Sequence, residues 1–258
     1  MARLSTSIRS AALGLNTHVE VIFPQANPEG VITRRVLYLL HGMTGNSSCW
    51  VNNSRITHHI HHKHPFIVVM PEVQNSFYTD MKHGADYFTY VAYELPKIVE
   101  EIFNVKHTRE NTYVAGLSMG GYGAVKCALT RPEFYCAVAS FSGAVDAESI
   151  YHRLLPGTDE RHKKLAVSIA GEELKVPEGG NLFALASNLA DKPEKPRILV
   201  TCGDKDFLLE DNRRFDAHMK ALPFEYAYKE WAGDHDWDFW EESLPVMFDF
   251  FNSEGEFA

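Results

Sequence analysis

The sequence predicts an α/β protein built on a mostly parallel, doubly wound sheet with helices on both faces. Three observations carry that expectation. Short, nearly continuous apolar runs recur along the chain, which suits strands covered on both sides. Between them lie longer segments whose apolar residues fall three and four apart, as helices packed on a sheet require. At residues 112–130 a strand candidate passes through a glycine-flanked turn directly into a helix candidate.

The elements follow in order. Residues 17–23 alternate polar and apolar side chains, the pattern of a half-exposed strand. Residues 35–40, 66–70, 112–115, 136–141 and 197–202 are the apolar runs, and 224–230 alternates again, which suits a place near a sheet edge. Helical spacing covers 85–103 through Tyr87, Tyr90, Val91, Leu95, Ile98 and Ile102. Pro96 marks a kink or a restart there, because proline lacks the N–H that continues a helix. Further helices are expected at 119–130, at 207–222 with Leu208, Phe215, Met219 and Leu222 on one face, and at 237–251. Residues 144–196 break the rhythm with Pro156, Pro177, Pro193, Pro196 and the Gly179-Gly180 pair. A structureless connection that long is uncommon, so short helices are expected, laid over the active end of the sheet as a cap-like insertion and candidate lid. The whole chain, 1–258, reads as a single domain.

Composition narrows the function. The chain has 258 residues, 45% apolar and 23% charged, which excludes a disordered or collagen-like protein. Its net charge of −9 and the lack of any Lys/Arg-rich run weigh against nucleic acid as a partner. The four cysteines, Cys49, Cys127, Cys136 and Cys202, form no zinc-type pair and suit a reducing compartment. No stretch reaches membrane-span length, and the first residues lack the apolar core of a signal peptide, so no membrane partner and a cytoplasmic address are expected.

The sharpest chemical signal is Gly116-Leu117-Ser118-Met119-Gly120 between a strand and a helix. Such a turn lifts a serine hydroxyl to the carboxyl edge of the sheet, and the following helix aims backbone N–H groups at developing negative charge. A serine hydroxyl is a weak nucleophile until a base takes its proton. In sheets with this turn the acid and then the histidine follow the serine in sequence. Of thirteen histidines that leaves His152, His162, His218 and His235. His235 is the choice, because Gly233-Asp234-His235 forms a turn after the last strand candidate. Asp206, in the loop after 197–202, is the expected acid, with Asp204 as its close competitor and Asp146 as a third candidate. The expected oxyanion donors are the amides of Met119 and of Met43, in the turn His41-Gly42-Met43-Thr44-Gly45-Asn46.

These motifs, with Val69-Met70-Pro71, Phe77-Tyr78-Thr79-Asp80, Phe141-Ser142-Gly143 and Cys202-Gly203-Asp204-Lys205-Asp206-Phe207, resemble the esterase D-like putative esterase family. The likeness runs from about residue 17 to 250, is weakest around 144–190, and is nearest to the bacterial tributyrin esterases. The resemblance implies an α/β-hydrolase that cleaves short-chain acyl esters without a cofactor, with Ser118, Asp206 and His235 as triad and Met43 and Met119 as donors. It leaves an S-formylglutathione-type thioesterase and an acetyl or feruloyl esterase of sugar-linked acyl groups as alternatives. A non-catalytic binding protein on the same scaffold is the alternative from another class. Some members assemble into dimers or tetramers, so the resemblance allows a homo-oligomer here.

Two further features need a place. Residues 58–64 hold five histidines in seven positions, and His58, His61 and His62 would share one helix face. No carboxylate or cysteine joins them nearby, so an exposed helix end is expected and no metal site. His41, Gly42, Trp50, Phe77 and Tyr78 follow or adjoin strand-end turns and are the expected lining of a substrate pocket.

Overall fold

A computed structural model describes residues 1–25, 33–154 and 159–253, with the side chains of His62, Arg153 and Leu154 left aside. Pro156 of the 144–196 segment lies outside the described residues. Eight strands form one sheet in the order β1-β2-β4-β3-β5-β6-β7-β8. They are β1 (Ala2–Ser10), β2 (Leu15–Phe23), β3 (Val36–Leu40), β4 (Ile67–Pro71), β5 (Thr112–Leu117), β6 (Ala137–Phe141), β7 (Arg197–Gly203) and β8 (Tyr226–Trp231). β1 pairs antiparallel with β2, and β2 with β4. Every other neighbour is parallel.

The helices in chain order are α1 (Cys49–Asn53), α2 (Ile56–His62), α3 (Tyr87–Thr89), α4 (Leu95–Phe103), α5 (Met119–Thr130), α6 (Ala147–Ser149), α7 (Glu160–Ala170), α8 (Leu182–Leu189), α9 (Leu209–Lys220) and α10 (Trp237–Asn252). The expected helix over 85–103 is divided by a π turn at Tyr90–Glu94, and α4 restarts with Pro96 in its first turn. Pro96 cannot donate, so the hydrogen-bond register widens before it and resumes after it.

The alternation of side chains along each central strand feeds two cores. Val36, Tyr38 and Leu40 of β3 enter the core beneath α4, α5 and α9. Leu37 and Leu39 enter the opposite core with Trp50, Ile56, Ile60 and the aromatic face of α10. All five β3 residues are buried, as a strand covered on both faces must be. At roughly 1.5–3 kcal/mol for each large apolar side chain, such strands hold the sheet together. β1 is mostly exposed, and its pattern of Ser, Thr and Arg gives no apolar stripe, so periodicity does not reveal it. Residues 144–196 form α6, a π turn at Ile150–Leu154, α7 and α8. They pack beside α5, where the Tyr122 hydroxyl donates to the Gly180 carbonyl at 2.8 Å. No described helix is long and apolar enough to cross a membrane.

Candidate active site

β5 ends at Leu117 and α5 begins at Met119, so the turn between them is Ser118 alone. Its backbone lies at φ 54° and ψ −118°. A non-glycine residue there costs about 1–3 kcal/mol, and neighbours must hold it. The Ser118 N–H donates to the Phe141 carbonyl at 2.9 Å, and the Ser118 carbonyl accepts the Tyr122 and Ala144 N–H groups at 3.1 Å each. The strand before and the helix after cross so closely that a Cβ on Gly116 would meet the Gly120 carbonyl oxygen at 2.4 Å. A Cβ on Gly120 would meet the Leu40 carbonyl oxygen at the same distance. Both glycines are therefore required by backbone contact, with the strain confined to the serine between them.

The loops after β7 and β8 carry the other two groups. Asp204 Oδ1 accepts the Gly233 N–H at 3.1 Å, while the Asp204 N–H donates to the Trp231 carbonyl at 2.9 Å. Asp204 is thus a brace between the loops. Asp206 is buried, and its Oδ1 accepts the Leu208 N–H at 2.8 Å. Its Oδ2 faces His235 Nδ1 at 2.8 Å, and His235 Nε2 faces Ser118 Oγ at 3.0 Å. A carboxylate against Nδ1 selects the tautomer in which Nδ1 carries the proton, which leaves Nε2 free to accept from the serine. Phe207, 59% exposed, covers the imidazole with its ring centroid 4.5 Å away, and Trp240 meets it edge-on at 5.1 Å.

The remaining candidates lie elsewhere. Asp146 caps α6 and pairs with Arg214 at 2.7 Å. His152 is beside Glu148, His162 beside Asp159, and His218 beside Ser187 and the Phe183 carbonyl.

Ser118 and His235 open into a cleft of about 620 Å³. Gly42 and Met43 form part of its wall, together with Asn46, Asn52, Asn53, Phe207, Trp237 and Trp240. Met119 opens α5, and the first N–H groups of a helix have no partner within it. The expected pocket lining needs correction at four of its five positions. Trp50, Tyr78, His41 and Phe77 are buried and are not among the residues that line the cleft. Trp50 donates its indole N–H to the Leu40 carbonyl at 3.0 Å and stacks edge-on against Phe141 and Trp237. Tyr78 donates to the His41 carbonyl at 2.9 Å. These aromatics fill space behind the cleft wall, where bulk is worth more than in an open pocket. Of the asparagines that do line the cleft, Asn46 closes the expected oxyanion turn, while Asn52 and Asn53 carry no sequence signal, because nothing in their spacing distinguishes them from surface residues. Cys49 also reaches the cleft, and burial pushes its thiol up to about 11, so it stays protonated at neutral pH. The candidate lid contributes none of the cleft's lining residues among those described.

The histidine-rich segment packs against α10. The His64 ring stacks on Phe248 with centroids 4.4 Å apart, and His59 approaches Glu241 at 3.6 Å. Among the described residues no group of three or more His, Cys, Asp or Glu is placed to hold a metal ion.

This sheet order, with the Ser118 turn after β5 and the His235 turn after β8, is that of an α/β-hydrolase, and its class is that of carboxylic ester hydrolases. The chain belongs to the Putative esterase family, whose model matches residues 10–251. An acetyl esterase of Caldicellulosiruptor saccharolyticus is 29% identical over 265 residues, covering 96% of this chain and 97% of its own. FphF, a fluorophosphonate-binding serine hydrolase of Staphylococcus aureus, superposes with a TM-score of 0.87 at 25% identity, covering 98% of this chain and 99% of its own. The S-formylglutathione hydrolase FrmB of the same organism gives 0.83 at 26% identity, covering 97% and 98%.

Proposed function

We propose that this enzyme is a serine carboxylesterase for short-chain acyl esters, with Ser118 as nucleophile, His235 as general base and Asp206 as the acid that orients it. The observation that carries this reading is the hydrogen-bonded line from Asp206 Oδ2 to His235 at 2.8 Å and from His235 to Ser118 Oγ at 3.0 Å. Ser118 Oγ attacks the ester carbonyl as His235 Nε2 takes its proton. The carbonyl oxygen becomes an oxyanion held by the Met43 and Met119 amides. The imidazolium, stabilised by Asp206, returns the proton to the leaving alcohol, and the acyl group stays on Ser118. Water then gives a proton to His235 and attacks the acyl carbon, releasing the acid and restoring the serine.

The cleft also bears on the substrate. Its lining includes the carboxylate of Asp236 and, among the described residues, no lysine or arginine. That wall favours a neutral alcohol over an anionic leaving group such as a glutathione thiol, whose carboxylates would meet no cation there. The acetyl esterase relative supports the short acyl group. The likeness to FrmB keeps an S-formylglutathione-type thioesterase as the second reading. A single domain over 1–258 belongs to the same proposal, since Ser118 and His235 meet in one site. The four free cysteines support a reducing, cytoplasmic address.

Ser118→Ala should abolish p-nitrophenyl acetate and butyrate turnover and leave the melting temperature within a few degrees of wild type. Retained turnover overturns the assignment. A wild-type protein that a fluorophosphonate fails to label would revive the non-catalytic binding reading. Higher kcat/KM on S-formylglutathione than on neutral acetyl esters would move the substrate to the thioesters.

A further inference from the structure

The Met43 N–H belongs to the same peptide unit as the Gly42 carbonyl. That unit is planar and trans, so the two groups point in opposite directions, and whatever fixes the carbonyl also aims the amide. The Gly42 carbonyl is held twice. It accepts the Gly45 N–H at 3.1 Å and lies 2.8 Å from His41 Nδ1. A carbonyl can only accept, so His41 Nδ1 carries a proton and donates it to Gly42, while Nε2 lies 3.2 Å from the Val73 nitrogen and 3.6 Å from Glu72 Oε1.

His41 is anchored in turn. Its carbonyl accepts the Tyr78 hydroxyl at 2.9 Å. Tyr78 is fully buried at φ 47°, and its ring lies so close to Gly123 of α5 that a Cβ there would meet Tyr78 Cγ at 2.3 Å. The Tyr78 carbonyl accepts from Lys126 Nζ at 3.1 Å, and Lys126 is also on α5. One tyrosine therefore ties the helix that starts beside Ser118 to the turn that carries Met43.

We propose that Tyr78 and His41 are positioning residues that set the direction of the Met43 amide relative to Ser118 Oγ. The proposal rests on the serine-esterase reading above. Neither side chain lines the cleft, so neither adds to ground-state binding. Their effect is felt when charge develops on the substrate oxygen, where a donor that is lost outright costs about 10²–10³ in rate and a misaimed one costs part of that.

Tyr78→Phe removes the hydroxyl and keeps the ring. Its kcat on p-nitrophenyl acetate should fall about tenfold with KM within about twofold of wild type. Affinity for a small alkyl boronic acid, which forms a tetrahedral anion on Ser118, should fall by the same factor as kcat. His41→Gln, whose amide can still donate to a carbonyl, should retain more kcat than His41→Leu. Unchanged kcat and boronate affinity in Tyr78→Phe, or a loss confined to the melting temperature, overturns the proposal. Equal kcat in the two His41 variants removes His41 from it. A wild-type enzyme with neither ester turnover nor a fluorophosphonate label on Ser118 overturns the underlying reading, and that failure shows before any Tyr78 variant is made.

Discussion

The loops around Ser118 and the excursion between β6 and β7 are connections in the same sheet, yet they are held in different ways. Around the site the ties run between loops distant in sequence. Ser118 bonds to Phe141, Asp204 to Gly233 and Trp231, and Lys205 to Gly233. In the excursion the helices carry their own caps, and the ties to other elements, such as Tyr122 to Gly180, Arg214 to Asp146 and Lys82 to Ile169, lie away from the cleft. Asp146, Asp159 and Asn181 each cap their own helix. Precise placement of reacting groups needs support from several elements at once, whereas a peripheral helix needs only its own cap and one buried face. Substitutions in the first region should therefore change rate out of proportion to stability, and those in the second should do the reverse.

The largest test of that contrast lies in the two neighbouring aspartates. Asp206→Asn should lower kcat about 10⁴-fold, by removing the charge that selects the imidazole tautomer. Asp204→Asn, which leaves an oxygen able to accept the Gly233 N–H, should lower kcat far less. Equal losses would mean that the brace and the acid cannot be told apart by position.

A second test reaches beneath α5. Burial lowers the Lys126 ammonium from 10.5 to about 8. The folded state therefore releases this proton before the unfolded state does. Stability should rise with pH between about 8 and 10.5 from this group alone, by up to about 3 kcal/mol. Urea unfolding of wild type and Lys126→Met across that range should show the rise only in wild type. Parallel curves would mean that the lysine keeps an ordinary proton affinity. The smallest effect is expected in the excursion. Asn181→Ala removes the cap of α8, where the side chain accepts the Ala184 N–H at 3.0 Å, and should cost about 1 kcal/mol with kcat unchanged. A kcat that falls with it would tie the excursion to the chemistry after all.

The seven strands from β2 to β8 were legible because each carries an apolar stripe or run. β1 was not, since an edge strand that buries little needs no such pattern. Ser118, Asp206 and His235 could be chosen because their order and the turns around them restrict the options. Trp50, Phe77 and Tyr78 were misplaced for a physical reason. Aromatic residues after a strand end fit equally well in a pocket or behind its wall, and only packing decides between them. Asn52 and Asn53 left no trace because a cleft wall imposes no period on the sequence, whereas Asn46 stands in the turn that carries Met43.

The hydrogen bond between Ser118 and His235 joins residues 117 positions apart. Chains are made from the N-terminus at about 5–20 residues per second. Ser118, its helix and the two proposed oxyanion amides therefore leave the ribosome several seconds before His235 does. Until β8 and α10 join the sheet, the serine has no partner to take its proton. On the proposed mechanism, acyl transfer is withheld from the nascent chain until that last strand docks.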